Sequence, residues 1–311
     1  MKKDQSVEKL LTKHFAFGPF LYLTIYRKKE NNMFSTKTKE SFKEINKTVM
    51  DIYNSKESIQ GWLKWQLNFR NYSPLNRLYL HNQNPEATYV ASYNWWKETG
   101  FPVVQSGCLY VMSPMMVKGF FDAQNKWKPL KEATDQEKSL IDSGVLKTKN
   151  IVRDYKRLPV FDISKTNATE EDLVTKITEK KNKGKILGKY NLDEVYENLS
   201  EYLEDSSKNA SVEAKIYEVV SNYVDDVLSK DSNDFYTASD TLDGDDLRNM
   251  AKEAITFVVL DRFQVDNTLF KYNALTKVHW DEDHIKDLMH INKYICNKSE
   301  EVVDTLIDAL M

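Results

Sequence analysis

The sequence predicts an α+β chain, in which a mixed α/β N-terminal region is followed by a mainly helical C-terminal region. Three observations lead there. Apolar residues recur at helical spacing between Phe42 and Leu67, strand-like runs around glycine turns lie between Val103 and Ile163, and beyond Thr166 the apolar patterns are helical and follow N-cap residues.

Taken in order, Phe42, Ile45, Val49 and Ile52 share one face of a helix over 36–54, with lysines and glutamates on the other. Ile59, Trp62, Leu63, Gln66 and Leu67 continue a second helix as far as Arg70. Ser73 before Pro74 gives an N-cap followed by proline at the first helical position, so a third helix begins at Pro74. Asn94 caps a short helix ended by Gly100. Val103-Val104 and Cys108 to Met112 then read as strands joined by a turn at Gly107. Thr134 with Glu137 forms a capping box for a helix stopping at Gly144, and 152–163 returns to strand character. Thr169 to Asp172 opens another helix, and 180–189 reads as a basic linker with Gly184 and Gly188. Four further N-cap signals, Asn191 with Glu194, Ser211, Asp243 with Asp246, and Ser299, each precede an apolar pattern.

With 311 residues, 41% hydrophobic and 29% charged, and only 9 Gly and 7 Pro, the composition excludes collagen-like, low-complexity and wholly disordered classes. The most apolar run, 15–26, is too short to span a bilayer and contains Gly18 and Pro19. Lysines precede it as in a secretory signal, but Asp4, Glu8 and His14 interrupt the flank and no small-residue cleavage site follows, so no signal peptide is expected. Cys108 and Cys296 form no CxxC pair. A reducing, cytoplasmic setting without a disulfide framework is the expectation.

The net charge of -3 hides a division by sign. Residues 1–190 carry 33 Lys+Arg against 20 Asp+Glu, whereas 191–311 carry 11 against 27. A basic region neutralises phosphates by counterion release; an acidic one repels nucleic acid. Between Trp62 and Trp127 lie 14 aromatic residues, five of the six tryptophans among them, interleaved with Asn, Gln, Lys and Arg. Bases stack on such rings, amides address base edges and basic side chains track the backbone. Core rings of a small sheet account for the same composition.

The order of the residues is more specific. Tyr72-Ser73-Pro74-Leu75-Asn76, then 83–91 reading QNPEATYVA, then Trp96-Lys97 and Gly100, resembles the N-terminal domain of the ArdC-like antirestriction proteins, with its YSxxN, QNPxATxVA and WKxxG blocks. The 160–166 segment VFDISKT is similar to the VFDISQT that closes that domain. The likeness covers roughly residues 55 to 166, and proteins of this family occur on conjugative plasmids, related mobile elements and phages. It implies a single-stranded DNA-binding domain, with Tyr72, Asn76, Arg77, Gln83, Trp96 and Lys97 as candidate contacts. Asn76 and Gln83, about two helical turns apart, share a helix face. The family's basic glycine turn after WKxxG is missing here, where 101–108 read FPVVQSGC, so Lys118, Lys126, Lys128, Arg153, Lys156 and Arg157 are the substitutes, Lys118, Arg153 and Lys156 foremost.

In many relatives the second domain resembles a zincin metallopeptidase, whose HExxH helix presents two ligands and a base on one face. No HExxH occurs in this chain. The segment from Lys252 to Asp266 is similar to the family's later helix and places Glu253 at the third-ligand position. Aligning 212–230 with the first helix puts Ser221, Asn222 and Asp225 where His, Glu and His belong. The resemblance therefore implies a degenerate, zinc-free domain without catalytic activity or cofactor. His279, His284 and His290 point to different faces of a helix, and the acidic residues around Gly244 do not match a calcium loop.

The expected organisation is an extension over 1–39, a single-stranded DNA-binding domain over 40–166, a linker over 167–190 and an acidic helical domain over 191–311. The expected function is a non-enzymatic antirestriction or anti-defence protein, with single-stranded DNA and a host restriction or defence protein as partners and no membrane. One rival is an acidic DNA-mimicking protein that inhibits a host nuclease or defence factor; another, weaker one is an active metallopeptidase.

Overall fold

The computed structural model describes residues 34–122, 124, 126–172, 212–230, 243–262, 265, 267 and 274–310. The apolar run 15–26, the basic linker and the caps at Asn191 and Ser211 lie outside them. The fold is α+β. Its helices are α1 (Thr36–Tyr53), α2 (Lys56–Gln66), α3 (Pro74–Gln83), α4 (Tyr93–Glu98), α5 (Asp135–Asp142), α6 (Val212–Lys230), α7 (Gly244–Arg262) and α8 (Ile285–Leu310). Its strands are β1 (Val90–Ala91), β2 (Leu109–Phe121), β3 (Trp127–Pro129) and β4 (Thr148–Asp162), in the antiparallel sheet order β1-β4-β2-β3. None of the described helices is long and apolar enough to cross a membrane.

Local chemistry sets most boundaries as the sequence predicts. The Ser73 hydroxyl accepts from the Asn76 N–H with Pro74 at the first helical position, and Thr134 and Glu137 close a reciprocal capping box. Asp243 accepts from the N–H groups of Asp245 and Asp246 to start α7. Several expectations are corrected. The cap of α4 is Ser92, whose hydroxyl accepts from the Trp95 N–H, and not Asn94. Val103 makes only an isolated bridge to Thr166. β2 runs on past Pro114, which a ladder tolerates here because β3 pairs only with Gly119 to Phe121. Ser299 starts nothing: it is buried inside the continuous α8.

The chain packs as two compact units. Among the described residues, one comprises those of 44–109 and 160–310, the other those of 110–159 with the segment ending at Lys43. At the centre of the first is α7, which buries residues on every face from Leu247 and Met250 to Val259 and Leu260, as an enclosed helix does. It packs against α2, α6 and α8, and α3 packs against α8. Polar bonds fix the register of this packing. Trp62 Nε1 and Tyr53 Oη donate to Asn292 Oδ1 at 2.9 and 3.3 Å, and Lys64 meets Asp261 at 2.8 Å. Residues on both sides of the boundary expected at 167–190 thus share one core. In the second unit Phe34, Phe42 and Tyr155 form an aromatic cluster with centroids 5.4–6.0 Å apart. Gly119 allows β3 to cross β2 closely, since a Cβ there would collide with the Lys128 carbonyl and the Trp127 ring.

Candidate nucleic-acid interface

The first unit takes six of the predicted contact residues and turns most of them inward. Trp96, expected as a stacking platform, is completely buried: its ring packs with Ala91 and Ile163, and its Nε1 donates to the Phe161 carbonyl at 2.8 Å. The apolar face of the six-residue α4 must cover the end of the small sheet, and the indole fills that space. Arg77, also expected at DNA, is 2% exposed. Its guanidinium donates to Glu300, Gln66 Oε1 and the Tyr72 carbonyl, and neighbouring Arg70 pairs with Glu300 and Asp304. Such a buried arginine is anchored by its partners, since an unpaired one would carry a large desolvation cost.

Tyr72 donates through its hydroxyl to the Val90 carbonyl at 3.0 Å, and burial pushes its phenol well above the ordinary value, with Tyr89 adding to the shift. Gln83 donates to the Tyr79 carbonyl one turn earlier, and the Asn76 N–H serves the Ser73 cap. Both are partly buried. Lys97 is exposed. One turn before it, Tyr93 is half exposed and meets Phe161 edge-on. Tyr93 is therefore the outward ring of α4, a position the sequence reading missed because six residues are too few for a period to separate Tyr93, Trp95 and Trp96.

The second unit presents its basic residues outward. Lys118 on β2 and Arg153 and Lys156 on β4 are all exposed, and none of the three has an ion-pair partner among the described residues. Arg157, next along β4, lies over the Tyr110 ring with its guanidinium carbon 5.4 Å from the centroid. Three acidic residues of the unit are held by other partners. Asp154, whose carboxyl burial alone would raise, is held below its ordinary value by hydrogen bonds from Thr38, the Tyr155 N–H and Ser35. The Lys126 and Gln124 N–H groups and the Lys128 ammonium lower the Asp122 carboxyl, while Glu137 is lowered by the Thr134 N–H and then by Lys128. Lys128, one of the expected substitutes, is thereby tied to Glu137 at 3.0 Å and Asp122 at 3.2 Å and leaves the candidate set.

In the acidic helices, two of the four residues aligned with a metal site, Glu253 and Asp225, are otherwise engaged. Both Glu253 carboxylate oxygens accept backbone N–H groups of Ala274 and Leu275 at 3.0 Å. Asp225 pairs with Lys252 and Arg248 across α6 and α7, and Ser221 and Asn222 lie on the same helix. Among the described residues no group of three or more His, Cys, Asp or Glu side chains converges.

No family model matches the chain, and no solved structure matches it. A segment of 158 residues is 34% identical to an uncharacterized protein of Bacillus anthracis, pXO2-81. The match takes 48% of this chain and 26% of that relative, so the chain spans about a quarter of the protein it resembles.

Proposed function

We propose that this chain binds single-stranded DNA through the exposed basic residues of β2 and β4, as a non-enzymatic protein serving antirestriction or a related anti-defence role. The observation that carries the reading is the charge arrangement of the second unit: Lys118, Arg153 and Lys156 stand exposed without acidic partners among the described residues, while Asp122, Glu137 and Asp154 are tied to other donors. Phosphates attract such a surface at long range and release counterions on binding. The ArdC-like blocks supply the single-stranded preference and the anti-defence setting. Restriction or defence proteins of a host are the partners that follow from it.

The non-catalytic part of the proposal is supported by Glu253 and Asp225, whose carboxylates serve backbone N–H groups and lysine rather than a common centre. The DNA-mimic alternative gains little from the acidic helices. Asp225, Asp246, Asp261, Glu300 and Asp304 each meet a lysine or arginine, so much of their charge is neutralised within the unit.

A fluorescence-anisotropy titration of the full chain with a labelled single-stranded oligonucleotide tests the proposal. Saturable binding that weakens with salt is expected. Arg153→Glu combined with Lys156→Glu should reduce affinity at least about tenfold, since two attractive phosphate contacts become repulsive. Unchanged affinity in that variant, with its fold intact, overturns the assignment of these residues.

A further inference from the structure

Resting on that reading of β2 and β4, we propose that the cation–π pair Tyr110–Arg157 is the element that selects single strands over duplex. Lys118, Arg153 and Lys156 address phosphates, which a duplex and a single strand both offer. Selection needs a group that recognises what only the single strand exposes, the flat face of an unpaired base.

Tyr110 opens β2 and Arg157 lies on β4, with the guanidinium carbon 5.4 Å from the ring centroid. Two planar groups are thus held together at the surface, and the tyrosine is 37% exposed. Cation–π attraction holds the guanidinium at the ring, and its plane is one that a lysine ammonium cannot imitate. A base can stack on either member, and the arginine adds its charge at the same point.

The rest of β2 is consistent with this role. Along its length β2 exposes Met115 and Met116 as well as Tyr110, apolar area that contact with water alone does not call for. In the first unit Trp96, the ring that the sequence nominated for stacking, is buried. The second unit, by contrast, exposes Tyr110 in contact with an arginine.

The test measures affinities of the full chain for matched single-stranded and duplex oligonucleotides, in the wild type and in Arg157→Lys, Tyr110→Leu and Tyr110→Phe. Arg157→Lys preserves the charge and removes the plane; Tyr110→Phe preserves the ring. Wild type should prefer the single strand. Arg157→Lys and Tyr110→Leu should each lose roughly 5- to 100-fold in single-strand affinity, the range that stacking of one base commands, and leave duplex affinity within about twofold. Tyr110→Phe should behave as wild type, and melting temperatures of all three variants report whether the fold is kept. Binding of both forms with a preference unaltered by Arg157→Lys and Tyr110→Leu overturns the inference while leaving the interface standing. A wild type that binds neither form overturns both.

Discussion

Trp96 in the first unit and Tyr110 in the second belong to the same aromatic, amide-rich stretch, yet they meet opposite surroundings. The indole is enclosed by Ala91 and Ile163 and bonded to the Phe161 carbonyl, while the phenol sits at the surface under an arginine. Basic residues divide in the same way. Arg70 and Arg77 are held by Glu300 and Asp304, whereas Arg153 and Lys156 are exposed and meet no acid among the described residues. Residue type alone therefore does not separate a binding group from a structural one. Partners do: an aromatic or an arginine whose hydrogen bonds and area are already satisfied has nothing left to offer a ligand.

That contrast is breakable by substitution, and the largest effects belong to the first unit. Trp96→Ala removes a fully buried indole and its hydrogen bond, and should cost about 3–5 kcal/mol in chemical denaturation. Measured well below its melting temperature, the variant should bind single-stranded DNA as wild type does. A variant that keeps its stability and loses affinity would return Trp96 to the interface.

Next in size is Glu300→Ala, which leaves Arg77 enclosed without its acidic partner and should cost about 3 kcal/mol. A loss near zero would show that Gln66 and the backbone carbonyls suffice for the guanidinium.

His81 gives a smaller, pH-dependent effect in the same unit. Its ring lies edge-on to Trp62 and Trp65, and burial lowers its pKa to about 4. The unfolded chain binds this proton at an ordinary histidine pKa of about 6.5 and the folded chain does not, so this contribution to stability is intact above that value and falls as pH drops toward 4. Allowing for the part of the ring that water reaches, the loss should be roughly 2 kcal/mol. His81→Phe should flatten the pH dependence of the denaturation midpoint over that window; an unchanged dependence places its origin elsewhere.

In the second unit the expected stability effects are the smallest. Lys118→Ala, Arg153→Ala and Lys156→Ala should each stay within about 0.5 kcal/mol of wild type, because no described partner is lost. A large stability loss in any of them would mean that the residue is structural, as Lys128 is.

Much of the fold is legible in the sequence because it is local. The α1 stripe from Phe42 to Ile52, the Ser73-Pro74 start and the Thr134–Glu137 box each need only a few neighbouring residues. What escapes is set by distant partners. Ser299 has the chemistry of a cap, but burial against the core keeps α8 continuous. Two candidate caps two residues apart, Ser92 and Asn94, are equivalent until the backbone is seen. The pairing of Arg77 with Glu300 joins residues separated by 223 positions, and no motif announces it. Of the candidate contacts, Lys97, Lys118, Arg153 and Lys156 are exposed, whereas Trp96 and Arg77 are core, a difference that residue type alone does not reveal. Tyr93 and Tyr110 were hidden among 14 aromatics by the absence of any sequence signal for which ring faces out.

The central claim is that nucleic acid meets the second unit and not the buried residues of the first. The salt dependence of single-strand affinity, compared between wild type and the triple variant Lys118→Ala/Arg153→Ala/Lys156→Ala, tests it most directly. Each phosphate contact removed should flatten the log-log slope by about 0.7, so the triple variant should lose about 2 from the slope with its melting temperature unchanged. A slope equal to that of wild type would contradict the account.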